Sequence, residues 1–250
     1  MKNIAYISRG GLVKSPGLAA CLSLLLLTIA WTSSGQVQNT GLQLTLTNNA
    51  VISTNSAWVS DAGSTTTNNG RIITSENWIN NGTYAGASLG GFELKYATSK
   101  TFTLGGTQLA RLRVNGTAGV SIPSLSITDS LTLVNGNVVL PVVTDVLTLQ
   151  TGAKLIGGST GSYVDGIVTR KGTGDLNFPL GKSSKFLPVI FYQVSGTSPA
   201  LTVQVKAAPA FSPGLGVSIL PSFPYAWSAT TLSAADTATF VEIQDRKSVV

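Results

Sequence analysis

The chain has 250 residues, 43% of them hydrophobic and only 10% charged, where an ordinary soluble domain carries roughly 25% charged residues. Its polarity comes from Ser, Thr, Asn and 27 glycines, a mixture that argues against a helical bundle, a coiled coil or a charged disordered tail. With no histidine and one cysteine, Ser-His-Asp and Cys-His catalysis and most zinc, haem and iron–sulfur ligand sets are excluded within this sequence. No cofactor and no catalytic residue is expected.

The chain opens with basic Lys2, Arg9 and Lys14, then an apolar stretch from Leu18 to Trp31, then Thr32-Ser33-Ser34-Gly35. This order predicts a signal peptide over 1–35, cut before Gln36. The apolar stretch falls short of the roughly 20 residues a membrane-spanning helix needs, so no membrane span is expected after cleavage. Leu18-Ala19-Ala20-Cys21 is spelled like a lipoprotein box, but such a box closes an apolar region and this one opens it. Cys21 then leaves with the leader, and the mature chain has no disulfide to form. Between Gln36 and Gln244, eleven basic residues face nine acids. The formal +6 of the whole chain thereby shrinks to a small excess without a basic stripe, and a nucleic-acid partner is not expected.

From 36 to 160 the sequence repeats. Asn48-Asn49-Ala50-Val51-Ile52 through Trp58-Val59 aligns twenty residues on with Asn68-Asn69-Gly70-Arg71-Ile72 through Trp78-Ile79, and Asn80-Asn81-Gly82 looks like a third start. Arg111 to Gly116 aligns with Leu131 to Gly136 at twenty; Leu131-Thr132-Leu133 aligns with Leu147-Thr148-Leu149, and Gly136 with Gly152, at sixteen. Short apolar–polar–apolar pieces mean strands with one buried face, and Asn-Gly or Thr-Gly between them supplies corners. Units of this length are too short for propeller blades and lack helical periodicity. They suit the coils of a parallel β-solenoid, about six of them in a rod on the order of 30 Å. The same alternation suits an antiparallel sandwich of hairpins; the constant offset favours the solenoid. The fold class expected is therefore all-β, a parallel solenoid followed by an incomplete β-sandwich-like module over 161–244, where strands lengthen and Pro209, Pro213, Pro221 and Pro224 accumulate. Asp245 to Val250 matches the translation of a common sequencing adapter. It is read as an adapter-derived tail on a fragment of a longer protein.

Three stretches resemble the large secreted β-repeat proteins of Bacteroidota, many of them type IX secretion substrates. They are the Asn-Asn-Gly units with Trp78, the Leu131-to-Ile156 triplets, and the run from Tyr163 through Arg170, Phe178-Pro179-Leu180-Gly181 and Leu187-Pro188-Val189. The resemblance implies secretion or display on the outer surface of a Gram-negative cell, and a C-terminal sorting domain that this sequence does not contain.

Candidate sites are few. Trp58 and Trp78 read as stacked core residues, with a glycan-stacking platform as the sharper alternative. Among Asp61, Glu76, Glu93, Asp129, Asp145, Asp165 and Asp175 no two lie closer than ten residues. Asp129 and Asp145 precede matching triplets, so a stacked pair, for calcium or catalysis, is weighed against solvated corners. Solvated corners are favoured, and no metal is expected. Arg170 and Lys171 with Lys182 and Lys185 form a mild basic cluster, read as a solvated rim rather than an anionic-glycan site. Asn81-Gly82-Thr83 and Asn115-Gly116-Thr117 have the form of glycosylation sequons but read as turns. The function expected is a non-catalytic, adhesin-like structural segment whose partners are extracellular glycans or other surface proteins. The alternatives are the accessory scaffold of a polysaccharide-degrading enzyme and a glycan-binding module.

Overall fold

The computed structural model describes residues 30–31, 36–85, 89–106, 108–207, 225–231 and 240–243. The expected leader, apart from Ala30–Trp31, and the expected adapter tail lie outside them. The described residues contain strands and no helix, so no helix there is long and apolar enough to cross a membrane.

The chain winds as a parallel β-solenoid of about six coils; two sheets run along the stack, and a third, three-stranded face accompanies them over the first coils. The first face stacks Val37–Asn39, Trp58–Ser60, Trp78–Asn80, Lys100–Thr103, Val120–Ser121, Val138–Val139 and Val164–Asp165. Ala30–Trp31 lies antiparallel on its first strand. A second face begins with Gln43–Leu46, Thr65–Asn68 and Thr83–Ala85, all parallel. The third, the long sheet, stacks Val51–Thr54, Arg71–Thr74, Gly91–Leu94, Gln108–Asn115 and Leu125–Asn135. Leu125–Asn135 is long enough to carry two strands above it: Val146–Leu149 on its first half and Lys154–Gly157 on its second.

Alternation within each short strand decides what is inside. Ile72 and Thr74, Phe92 and Leu94, Leu112 and Val114, and Leu131 and Leu133 are buried, while the residues between them on the long sheet face outward. Each coil's apolar row is covered by the rows above and below it, so the hydrophobic surface is removed from water only in the stack. The expected offset of twenty is the real period here: Ile52 sits on Ile72 and Trp58 on Trp78.

Three expected alignments are corrected. Asn80-Asn81-Gly82 does not start a coil, because Asn80 pairs with Ser60 at the corner after the first face. The step from Arg111 is nineteen, with Arg111 on Ser130 and Val114 on Leu133, and becomes twenty only at Asn115 on Asn135. Val134 is the extra residue of a bulge, and its side chain is turned out to solvent. Leu147-Thr148-Leu149 rests on Leu125-Ser126-Ile127, not on Leu131-Thr132-Leu133, and the Gly136 amide donates to Gly161, not to Gly152.

The corners explain the Asn and Gly. The buried Asn68 side chain accepts from the Gly70 amide and donates to the Gly91 carbonyl of the next coil. Asn80 does the same with the Gly82 amide and the Leu104 carbonyl. One Asn-Asn-Gly device thus serves two different corners, which is why it misleads as a period marker. At Gly82 the demand is closeness: a Cβ would lie 2.1 Å from the Ser64 carbonyl oxygen. At Gly136 the backbone is left-handed, with φ of 87°.

Parallel stacking continues past residue 160 to Ile167–Lys171, which lies on Val146–Leu149. Pairing then turns antiparallel: Ile167–Lys171 with Ala200–Ala207, and that strand with Tyr225–Thr231. A second antiparallel sheet joins Gly174–Phe178, Val189–Val194 and Phe240–Ile243. Phe178 and Phe191 meet edge-on at 5.6 Å, and with Leu176, Val189 and Val194 they belong to the solenoid's own core.

Candidate functional site

Trp58 and Trp78 lie inside the stack, 3% and 0% exposed. Their rings are parallel, with centroids 4.9 Å apart and planes 8° apart, the separation two adjacent strands impose. Phe92 stands edge-on to Trp78 at 5.1 Å, and Phe102 edge-on to Phe92 at 4.9 Å. The glycan-stacking alternative needs an open ring face, and neither indole has one: each is covered by its neighbours in the aromatic column. The Trp58 indole N–H donates to Ser60 Oγ at 2.8 Å. Asn80 occupies the equivalent place above, and the Trp78 indole nitrogen is without a partner.

Asp129 and Asp145 do not meet. Asp129 pairs with Arg111 on the coil below. Asp145 accepts from the Ser124 amide and hydroxyl and from the Val142 amide, tying a different corner. No cluster of three potential metal ligands occurs among the described residues. Two members of the expected basic cluster near 170–185 have partners of their own. Arg170 donates to the carbonyls of Asn177 and Ala153, and its burial lowers the guanidinium pKa. Lys182 is paired with Asp165 at 2.8 Å. Asn81 is an exposed corner residue, whereas the Asn115 amide donates to Glu93 Oε1 at 3.2 Å.

The charged constellation that does assemble lies on the outer face of the long sheet, and its residues are brought together by coil register. Along one row stand Val51, Arg71, Gly91, Arg111, Ser130 and, beyond them, Lys154; along the next stand Ser53, Ile73, Glu93, Arg113, Thr132 and Ile156. Glu93 points outward, yet its side chain is only 3% exposed. Arg71 pairs with Glu93 Oε2, while Lys95 and Arg113 each approach Oε1 at 3.6 Å. A carboxylate is costly to remove from water unless paired. Three cations and the Asn115 amide meet that cost by folding over it.

The cations themselves stay half-exposed, with Arg71 52%, Lys95 48%, Arg111 55% and Arg113 44% accessible. Four positive groups are thus balanced by two carboxylates, Glu93 and Asp129. The face keeps a net positive charge with guanidinium donors still turned to solvent. Gly91 stands in the row between Arg71 and Arg111 and is buried, with the Arg111 side chain over it: a Cβ there would lie 3.3 Å from Arg111 Cβ. Sequence reading missed this site because it took Glu93 as isolated and Arg111 to Asn115 only as a repeat. The twenty-residue period, continued one coil further, would have aligned Arg71 with Gly91 and Arg111. By contrast, the cleft of about 90 Å³ beside Phe102, Gly106, Ile122 and Ser124 has no ionisable side chain in its lining.

Comparisons with known proteins found no matching family model, no matching curated protein and no matching solved structure.

Proposed function

We propose that this chain is a non-catalytic, exported structural segment of a larger cell-surface or extracellular protein. It serves as a stiff scaffold whose outward residues make adhesive contacts. The observation that carries the reading is the unbroken parallel ladder from Val51–Thr54 to Lys154–Gly157 on the long sheet. Shape in such a stack is held by main-chain bonds and a buried core. Its outer side chains are therefore free to vary with what they touch, and length is set by the number of coils. Export is supported by the basic, apolar, then small-residue order of the first 35 residues. The resemblance to Bacteroidota surface proteins suggests the type IX route and the outer surface of a Gram-negative cell.

A glycan-binding role is favoured as the second reading by one specific feature, the half-exposed arginines held over Glu93. The primary reading is tested with an antibody raised against the folded chain and applied to intact cells that make it. Labelling without permeabilisation, or recovery of the chain in the medium, is the expected result. Labelling that requires lysis would overturn it.

A further inference from the structure

The geometry points to the outer face of the long sheet as a binding site for a linear acidic glycan, one bearing carboxylate or sulfate groups, laid along the solenoid axis. This deepens the adhesive reading by naming the class of ligand. It rests on that reading only for where the polymer is met, because binding itself is a property of the purified chain.

The cations recur along the solenoid axis at a regular spacing. Arg71 and Arg111 hold the same register position on strands separated by one intervening strand, that of Gly91. Adjacent strands lie roughly 4.8 Å apart, so their backbones are about 9.5 Å apart, close to the length of one disaccharide. Charges carried once per disaccharide would meet a cation at each repeat. Lys154 continues the same row two coils beyond Arg111.

The cations are also preorganised. Long basic side chains on a surface normally lose rotamer freedom on binding. Here Arg71, Lys95 and Arg113 are already drawn together by the buried Glu93 carboxylate, and Arg111 by Asp129. A guanidinium that donates one side of its fork to such an anchor still has donors for a carboxylate or sulfate. The cluster keeps its positive excess after the two internal carboxylates are counted.

The face suits an acidic glycan better than a nucleic acid. Single-stranded nucleic acids are gripped by aromatic rings on which bases stack. The aromatic residues behind this face, Phe92, Tyr96 and Phe102, are buried. What flanks the cations on the outside is a mixture of Ser53, Ser130, Thr132 and Asn115 with the exposed apolar Val51 and Ile156, so hydroxyl and amide groups suited to sugar hydroxyls stand beside surfaces suited to the apolar faces of sugar rings.

The test measures equilibrium binding of the purified chain to four probes: polygalacturonate, dextran sulfate, neutral dextran and single-stranded DNA. Polygalacturonate or dextran sulfate should bind, weaken as salt is raised, and exceed both neutral dextran and DNA. Arg111→Glu with Arg113→Glu should reduce that affinity at least tenfold in protein that is still folded at the assay temperature, although the loss of Arg113 from Glu93 and of Arg111 from Asp129 lowers its melting temperature. The matched control Lys185→Glu with Lys206→Glu should leave it within twofold. If the double reversal unfolds the chain, Arg111→Gln with Arg113→Gln takes its place, with a loss of at least threefold expected. The proposal is overturned by equal binding of variant and parent, by an equal loss in the control, by tighter binding of DNA, or by no binding of either acidic polymer. Surface labelling of cells is read separately, so a failure of export and a failure of binding cannot be confused.

Discussion

Gly82 sits where one coil presses on the one beneath. A Cβ added there would lie 2.1 Å from the Ser64 carbonyl oxygen, 2.8 Å from that of Asp61 and 2.9 Å from the Ser64 carbonyl carbon. All three are backbone atoms, and ladder bonds fix them: Thr83 donates to Ser64 at 2.8 Å and Ser64 to Asp61 at 2.9 Å. Ordinary contact needs a separation of roughly 3.5 Å, so the coils must part locally and the Thr83–Ser64 bond is lost. Overpacking costs about 1–3 kcal/mol and a lost hydrogen bond about 1 kcal/mol. Replacing a glycine returns about 0.4–1 kcal/mol through the unfolded chain. Gly82→Ala should therefore destabilise by about 1–3.5 kcal/mol. Gly63, one coil below, is the internal control: a Cβ there meets only the Gly41 Cα, at 3.7 Å, so Gly63→Ala should be neutral or stabilising by up to about 1 kcal/mol. Urea unfolding followed by tryptophan fluorescence compares them. A Gly82→Ala variant within about 0.5 kcal/mol of the parent would refute close coil stacking at this corner.

Asn80→Ala should cost about 2–4 kcal/mol in the same assay, because it strands the Gly82 amide and the buried Leu104 carbonyl; exposed Asn81→Ala should cost under about 0.5 kcal/mol. Equal effects would contradict the bridging role of Asn80. Burial raises the Tyr84 phenol from 10.0 to about 12, partly opposed by the bond from Asn68, and burial with the Glu76 carboxylate raises Tyr96 further. The folded state thus holds these protons more tightly than the unfolded one. The stability they confer is complete below pH 10 and is lost as pH rises from 10 to 12, about 3 kcal/mol for Tyr84. Denaturation midpoints across that window should fall less in Tyr84→Phe with Tyr96→Phe, and an unchanged fall would count against the assignment. On the charged face, Arg71→Ala with Arg113→Ala should cost about 2 kcal/mol, because it leaves a buried carboxylate under-compensated. Glu93→Gln should cost only about 1 kcal/mol and be relieved by salt, because the cations it frees are half hydrated. The reverse order, measured by thermal or urea unfolding, would show that Glu93 is not the anchor.

Much of the architecture was legible because a solenoid writes its period into the chain. Trp58 with Trp78 and Ile52 with Ile72 carry the true offset, and alternation marks which residues point inward. The misread alignments have particular causes. Leu125-Ser126-Ile127 and Leu131-Thr132-Leu133 share one apolar–polar–apolar pattern, so pattern alone cannot say which one Leu147-Thr148-Leu149 covers; the long strand that contains both decides it. A one-residue slip flips every side chain to the other face. The bulge at Val134 absorbs that slip, which equally spaced repeats conceal. The charged face was hidden because charge was counted along the chain, where Arg71, Glu93 and Arg113 are about twenty residues apart. Wound onto coils, the same residues are neighbours. The buried state of Trp58 and Trp78 was the favoured reading, and the aromatic column explains it: rings that recur at the coil period stack on one another before they can stack on anything else.

Register across coils is read directly by engineered disulfides. In a Cys21→Ser background, Val59→Cys with Ile79→Cys places two thiols at paired positions on adjacent parallel strands, within the span a disulfide bridges. Ser53→Cys with Val59→Cys tests the rival, since a hairpin turning at residues 55–57 would set those two opposite each other. Rapid oxidation of the first pair and none of the second is the predicted result. Cross-linking of Ser53→Cys to Val59→Cys, with the Val59–Ile79 pair remaining reduced, would contradict the solenoid.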